Sequence, residues 1–226
     1  MKLINEIFKK YTLKEESLIK YGFILNNNIY SYNKNIHNNS FELQIKITNK
    51  IIEGKLIDKD FNDEYEQINI MTEGTFISEL KKECEQILID IRNNCYYKED
   101  FIYPQSNRLS NIIKEKYNVY PEYLWNTDPG FGVFRNPNTN KWFGIIMNIA
   151  KNKIIGKESK EIEVLDIMLS DKTSEYLNKK GIHIAYHMNK KNWVSIILDD
   201  TLTDNEIISL IDISFNNSNK KGYTSQ

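Results

Sequence analysis

Cysteine is scarce in this chain of 226 residues: Cys84 and Cys95 are the whole complement. Both fall in a stretch of helical periodicity, where their separation along the helix is about 16 Å, too far for a disulfide. No Cys or His cluster accompanies them, so zinc is not expected, and two thiols in an ordinary helix fit a reduced compartment. An apolar run of roughly 20 residues, the length needed to cross a bilayer, is also missing. The N-terminal MKLINEIFKKYTLKEES scatters charges where a signal peptide would hold an unbroken apolar core. The expectation is a cytoplasmic protein with no membrane association. No glycine-rich phosphate loop, HExxH pair or Ser-His-Asp order occurs. A non-enzyme without cofactor or bound metal follows.

The residues present exclude a mainly disordered chain, since 40% are hydrophobic and 12% aromatic. The abundance of Asn, Ile and Lys suggests a compositionally biased genome, so a lone lysine carries little weight. Net charge is only -1 with a pI near 6.3, which by itself argues against a nucleic-acid binder. The distribution says more. Glu53 to Tyr103 holds thirteen acids against six bases, whereas Arg135 to Lys160 holds six bases against one acid and Lys172 to Lys191 five against one. A basic face on the C-terminal half is expected.

Taken in order, residues 1 to 20 have the spacing of one short amphipathic helix, with Leu3, Ile4, Ile7 and Phe8 on its apolar side. Strands follow at Phe23 to Tyr32, Phe41 to Ile47, Ile51 to Ile57 and Tyr65 to Ile70, with Asn49-Lys50 as a tight hairpin turn. Phe76 to Ile91 returns to helical spacing and closes a small N-terminal α+β unit, residues 1 to 100, a β-meander plus helices. YKEDFIYPQ, residues 97 to 105, lacks periodicity and marks a domain boundary. A second unit, residues 104 to 217, opens with a helix at Ser106 to Lys116 and a loop at Tyr120 to Gly130. A hairpin of Phe131 to Arg135 and Trp142 to Ile149 is joined by Asn136-Pro-Asn-Thr-Asn140. Ile162 to Leu169 is a strand, Lys172 to Lys180 a short helix that Gly181 can close in a left-handed conformation, and Trp193 to Leu198 a buried strand. Thr203-Asp-Asn-Glu206 fits a capping box for a helix burying Ile207, Ile208, Ile211 and Phe215. Residues 218 to 226 read as a flexible tail.

In order along the second unit stand NVYPEYLW (Asn118 to Trp125), GFGVFR, KWFGIIMNIA, a strand, a short helix, IHIAYHMNKKNW and the capped terminal helix. This series resembles the MmcQ/YjbR family over roughly Ser106 to Asn217. The resemblance implies an α+β fold of the CyaY/frataxin type, an antiparallel sheet covered on one face by two helices. The family is usually labelled DNA-binding, so DNA is the implied partner. The chain departs from the family pattern at Leu165-Asp-Ile-Met168, where an Asn-Leu-Lys or similar run is common, and at Ser214-Phe215, where the family commonly has Ser-Tyr. Iron carriage, which a frataxin-like fold raises, is disfavoured because Ser106 to Lys116 has Glu115 alone among basic neighbours.

The candidate nucleic-acid-binding residues are Arg135, Lys141, His187, Lys190 and Lys191, of which the arginine and the three lysines are charges at expected loop tips where they can meet phosphate. His187 beside a basic loop has the chemistry of an acid, a base or a phosphate contact, although such a histidine more often serves structure. Neither His37 nor His183 has a Cys partner. Trp125, Trp142, Phe143, Tyr186 and Trp193 can stack on bases, yet the apolar strands around most of them, Trp142 and Trp193 above all, place them in the core. The rival reading is a protein-interaction module in which the acidic N-terminal unit meets a protein partner. A pocket holding His187 beside an ionisable partner would instead favour an enzyme.

Overall fold

The computed structural model describes residues 1–70, 74–170 and 173–220, and the chain divides into two compact units, Met1–Glu99 and Asp100–Gln226. The first unit starts with α1 (Lys2–Phe8), β1 (Tyr11–Leu13) and α2 (Glu15–Tyr21). The single helix expected over residues 1 to 20 is therefore broken. Tyr11 to Leu13 pair antiparallel with β7 (Tyr96–Lys98), a long-range ladder that overrides local helical spacing. A sequential meander follows: β2 (Ile24–Asn26), β3 (Ile29–Ile36), β4 (Phe41–Thr48), β5 (Ile51–Asp58) and β6 (Asp63–Glu64).

The expected strand Phe23 to Tyr32 is a hairpin instead, because Asn27 and Asn28 both take left-handed φ angles, the conformation of a two-residue turn. Asn49 and Lys50 do the same between β4 and β5, as their turn chemistry predicts. Tyr65 to Ile70 is not a strand but holds a 3-10 turn at Glu66–Asn69. α3 (Thr75–Cys95) lays Leu80, Cys84, Leu88, Ile91 and Cys95 into the same core as Phe41, Leu43, Ile45 and Ile47 of β4. Both cysteines are buried free thiols. Burial, with a smaller contribution from the repulsion of Glu83, pushes the Cys84 thiol up to about 12.

The second unit runs α4 (Pro104–Tyr117), β8 (Glu122–Tyr123), β9 (Gly132–Arg135), β10 (Trp142–Ala150), β11 (Glu161–Met168), α5 (Thr173–Tyr176), β12 (Ile182–Ile184), β13 (Trp193–Ile197) and α6 (Asp204–Ser218). Its six strands lie in the order β12-β13-β11-β10-β9-β8, every neighbour antiparallel. Leu109 and Ile113 of α4 and Ile207, Leu210 and Ile211 of α6 pack on one sheet face with Phe134, Ile146, Leu165, Ile167, Val194 and Ile196. This is the α+β architecture expected from the resemblance. Pro104 is the first helical residue of α4, where its missing N–H costs nothing. Buried Glu163 accepts from the Ile102 and Tyr103 amides at 3.0 and 2.9 Å just ahead of it, favourable at the positive end of a helix.

The helix expected from Lys172 to Lys180 is the single turn of α5. Lys172 itself lies outside the described residues. Gly181 takes the left-handed φ of +82° foreseen for it. The capping box is present, with the Thr203 amide donating to Glu206 Oε2 at 2.8 Å and the Glu206 amide donating to Thr203 Oγ1. Of the expected tail, Ser218 still belongs to α6 and residues 221–226 lie outside the described residues.

Candidate functional site

One irregularity in β10 decides which side chains meet on the sheet face away from α4 and α6. The β9–β10 register runs from Trp142↔Arg135 to Gly144↔Phe134, so Phe143 is an extra residue on the bulged strand. A bulge shifts the alternation of side chains by one. Trp142, three residues before Ile145, would otherwise point to the opposite face; here it joins Val133, Ile145 and Met147 on that helix-free face. Phe143 turns into the helix-side core. The interrupted ladder is repaired by Ser214 of α6, whose buried hydroxyl donates to the Phe143 carbonyl and accepts from the Met168 amide at 2.8 Å. The serine half of the Ser214-Phe215 pair thus has a structural task.

Trp142 forms one wall of a pocket of about 370 Å³. Trp125, Phe131 and Tyr186 supply the other rings, Ile145 and Met147 come from β10, and Asp128, His187 and Met188 complete the lining. The walls stand nearly at right angles: Trp125 meets Trp142 at 84° with centroids 5.8 Å apart, and Phe131 at 77° and 6.2 Å. The sequence Asp128-Pro-Gly-Phe131 is a turn closed by Phe131 N–H donating to the Asp128 carbonyl at 3.0 Å, with Pro129 at its favoured second position. It sets Asp128 and Phe131 side by side. Thr127 Oγ1 donates to Asp128 Oδ2 at 2.8 Å and orients the carboxylate.

On the same sheet face Ile145 pairs with Asp166, Asp166 with Ser195, and Ser195 with His183. Asp166 is fully buried. Ser195 Oγ donates to Asp166 Oδ1 and accepts from the Tyr186 amide at 2.9 Å, while Oδ2 has no hydrogen-bond partner among the described residues. Desolvation raises the Asp166 carboxyl to about 7, against the opposing pull of the Ser195 hydrogen bond and the nearby Tyr186 amide. A polar role therefore survives in β11, inside the Leu165-Asp-Ile-Met168 run where the chain departs from the family pattern. His183 is held below its ordinary value, chiefly by burial, with Asp199 acting the other way. The order Asp-Ser-His across three strands is not a catalytic triad, since the serine donates to the aspartate and no histidine accepts its proton.

The five candidates lie at one end of the sheet. Trp193 pairs with Met168, Ile167 with Gly144 and Trp142 with Arg135, so the 187–192 segment and the 136–141 turn leave the same edge, separated by three strand spacings of about 4.8 Å, or about 14 Å. They are not equally available. Arg135 sits on a strand with its side chain 24% exposed, bonded to Glu122 at 2.7 Å and over the Trp142 ring at 5.5 Å. Lys141 Nζ donates to the Lys220 carbonyl at 2.7 Å.

The hairpin tip as a whole is stitched to the end of α6. Buried Asn136 donates to Ser218 Oγ at 2.7 Å and to the Phe215 carbonyl at 3.4 Å, and Thr139 donates to the Ser218 carbonyl at 3.0 Å; these carbonyls are groups a helix C-terminus leaves open. What looks in the sequence like a free basic tip is a helix cap. Lys151, Lys153, Lys157 and Lys160, counted with Arg135 in the basic stretch, follow or precede the opposite ends of β10 and β11. The antiparallel turn splits that charge between two ends of the sheet.

Lys190 and Lys191 remain. Both are exposed, with no ion pair of either among the described residues. Asn189 holds their turn: its carbonyl accepts from the Asn192 and Trp193 amides at 3.0 and 2.9 Å, and its Oδ1 from the Lys191 amide at 3.0 Å. Trp193, 4% exposed, anchors the following strand. His187 is exposed, left-handed at φ +60°, with its ring 4.1 Å from that of Tyr186. It shares the pocket lining with Asp128, but among the described residues no hydrogen bond or ion pair joins them. Nor do the described residues include a group of three or more His, Cys, Asp or Glu side chains placed to hold a metal. None of their helices is long and apolar enough to cross a membrane.

An antiparallel sheet with two helices on one face and an aromatic pocket on the other defines the second unit. The YjbR family profile matches residues 114–217. The chain is 36% identical over 104 residues to the uncharacterized protein YyaQ of Bacillus subtilis (strain 168), covering 46% of this chain and 88% of that protein. It belongs to the YjbR family through this part of its length. Two solved structures of a Pseudomonas syringae protein are similar. The crystal structure has 32% identity and a TM-score of 0.48, covering 49% of this chain and 96% of the other. The solution structure has 30% identity and a TM-score of 0.47, covering 54% and 98%.

Proposed function

We propose that this chain is a non-enzymatic nucleic-acid-binding protein, with DNA as its expected partner, that meets a phosphate backbone at the sheet end bearing Lys190 and Lys191. The observation that carries this reading is the pair of consecutive lysines on the Asn189 turn, presented without an opposing carboxylate among the described residues. Pre-ordering the turn lowers the entropy lost when phosphate is engaged. Arg135 and Lys141 contribute less than their positions suggest, because Glu122 and the Lys220 carbonyl already occupy them.

Titration of the intact protein with duplex and single-stranded DNA at two salt concentrations tests the reading. Replacing Lys190 and Lys191 by Ala should reduce the slope of log affinity against log salt by about two and weaken all sequences alike. Unchanged affinity in the folded double variant refutes it. A second reading, a protein-interaction module, draws on the first unit, where Ile24 and Ile51 are 69% and 65% exposed near adjacent turns of the meander. Binding through such an apolar centre should persist as salt rises.

A further inference from the structure

We infer that the pocket bounded by Trp125, Phe131, Trp142 and Tyr186 is a binding site for a small organic cation, a methylated ammonium group with apolar substituents. The inference is independent of the phosphate-binding reading and uses different side chains. Aromatic rings present a negative face and a positive edge. Trp125 stands edge-to-face with both Trp142 and Phe131, so these rings cannot sandwich one flat ligand as parallel walls do; they box a rounded one. Ring faces at right angles around a rounded group are the arrangement that attracts a quaternary ammonium.

Charge complementarity points the same way. Asp128 contributes a carboxylate to the lining, no lysine or arginine lines the pocket among the described residues, and Thr127 fixes that carboxylate by its hydrogen bond. The neighbouring Arg135 already rests on the Trp142 ring and is neutralised by Glu122, so this ring accommodates a cation within the structure itself. Ile145 and Met147 from β10 are apolar, matching methyl substituents and offering no partner for a hydrated amine. A volume of about 370 Å³ is at the small end for ligand sites, which suits a headgroup and excludes a large cofactor.

The test uses the full chain with choline as the probe, followed by tryptophan fluorescence and calorimetry. Choline is expected to bind saturably at one site, and its uncharged isostere 3,3-dimethylbutan-1-ol at least about fivefold more weakly, the factor expected when the cation–ring attraction is lost. Asp128→Asn, a substitution at an exposed side chain, should weaken choline and leave the isostere unchanged; Trp125→Ala should weaken both. Lys190→Ala with Lys191→Ala should change neither, whatever its effect on DNA. Equal affinity for choline and the isostere overturns the proposal, as does saturation by adenosine where choline fails. So does the absence of saturable choline binding up to about 10 mM.

Discussion

Asp166 should make the second unit lose stability as pH rises from about 4 to about 7. Its carboxyl is raised from an ordinary 3.8 to about 7 by burial, so between those values the folded protein holds a proton that the unfolded chain has released. Stability then falls with rising pH in that window, because the folded state binds more protons. It levels off above about pH 8. Each pKa unit corresponds to about 1.4 kcal/mol, and the span gives a loss of roughly 4 kcal/mol.

Asp166→Asn removes the titration. The variant can keep an oxygen facing Ser195, but places an amide where Oδ2 now lacks a partner, costing about 1–3 kcal/mol. It should thus be the less stable protein near pH 4 and the more stable near pH 8.5. Contributions from other groups, including half-buried His183 across Ser195, largely cancel in the difference. Urea unfolding followed by tryptophan fluorescence measures it in the relevant unit, since all three tryptophans, Trp125, Trp142 and Trp193, belong to it. A stability difference between the two proteins that stays constant from pH 4 to pH 8.5 would refute the neutral buried carboxyl.

Two further substitutions probe what holds the pocket and the hairpin in place. Ser214→Ala leaves the Phe143 carbonyl and the Met168 amide without the hydroxyl they share and should cost about 2–4 kcal/mol; a loss below about 1 kcal/mol in urea unfolding would mean the bulge does not depend on it. Asn136→Ala removes the buried amide that joins the hairpin to Ser218 and should cost about 1–3 kcal/mol, whereas Lys141→Ala should cost less, and the reverse order of urea midpoints would contradict the capping role.

Much of the second unit was legible because its signals are local. Turn residues at 136 to 140, the capping box at Thr203 and the β-rich apolar run from Trp193 each act within a few residues. The pocket was hidden for a definable reason: strict alternation assigns Trp142 and Ile145 to opposite faces, and only the bulge unites them. Gly144 inside a strand pattern was the available hint, since an isolated glycine there often marks a bulge. Charge counts along the chain misled because an antiparallel turn sends neighbouring stretches to opposite ends of a sheet. In the first unit, one helix became two because the partner of Tyr11 to Leu13 lies at Tyr96 to Lys98, a pairing no local window contains.

The segment from Tyr186 to Trp193 serves both proposed sites, yet its anchors keep them separable. At one end the Tyr186 amide is fixed to Ser195, itself bonded to Asp166; at the other, Trp193 enters the sheet and Asn189 closes the turn. Tyr186 and Met188 therefore face the pocket through contacts that Lys190 and Lys191 do not make. Removing the lysine charges leaves both anchors intact. Removing a ring from the pocket leaves the lysine turn with all of its backbone hydrogen bonds. Disturbing Asp166 or Ser195 is different, because their bond holds the pocket wall at the point where the segment departs from the sheet. Substitution there should affect both sites, whereas substitution within either site should affect that site alone.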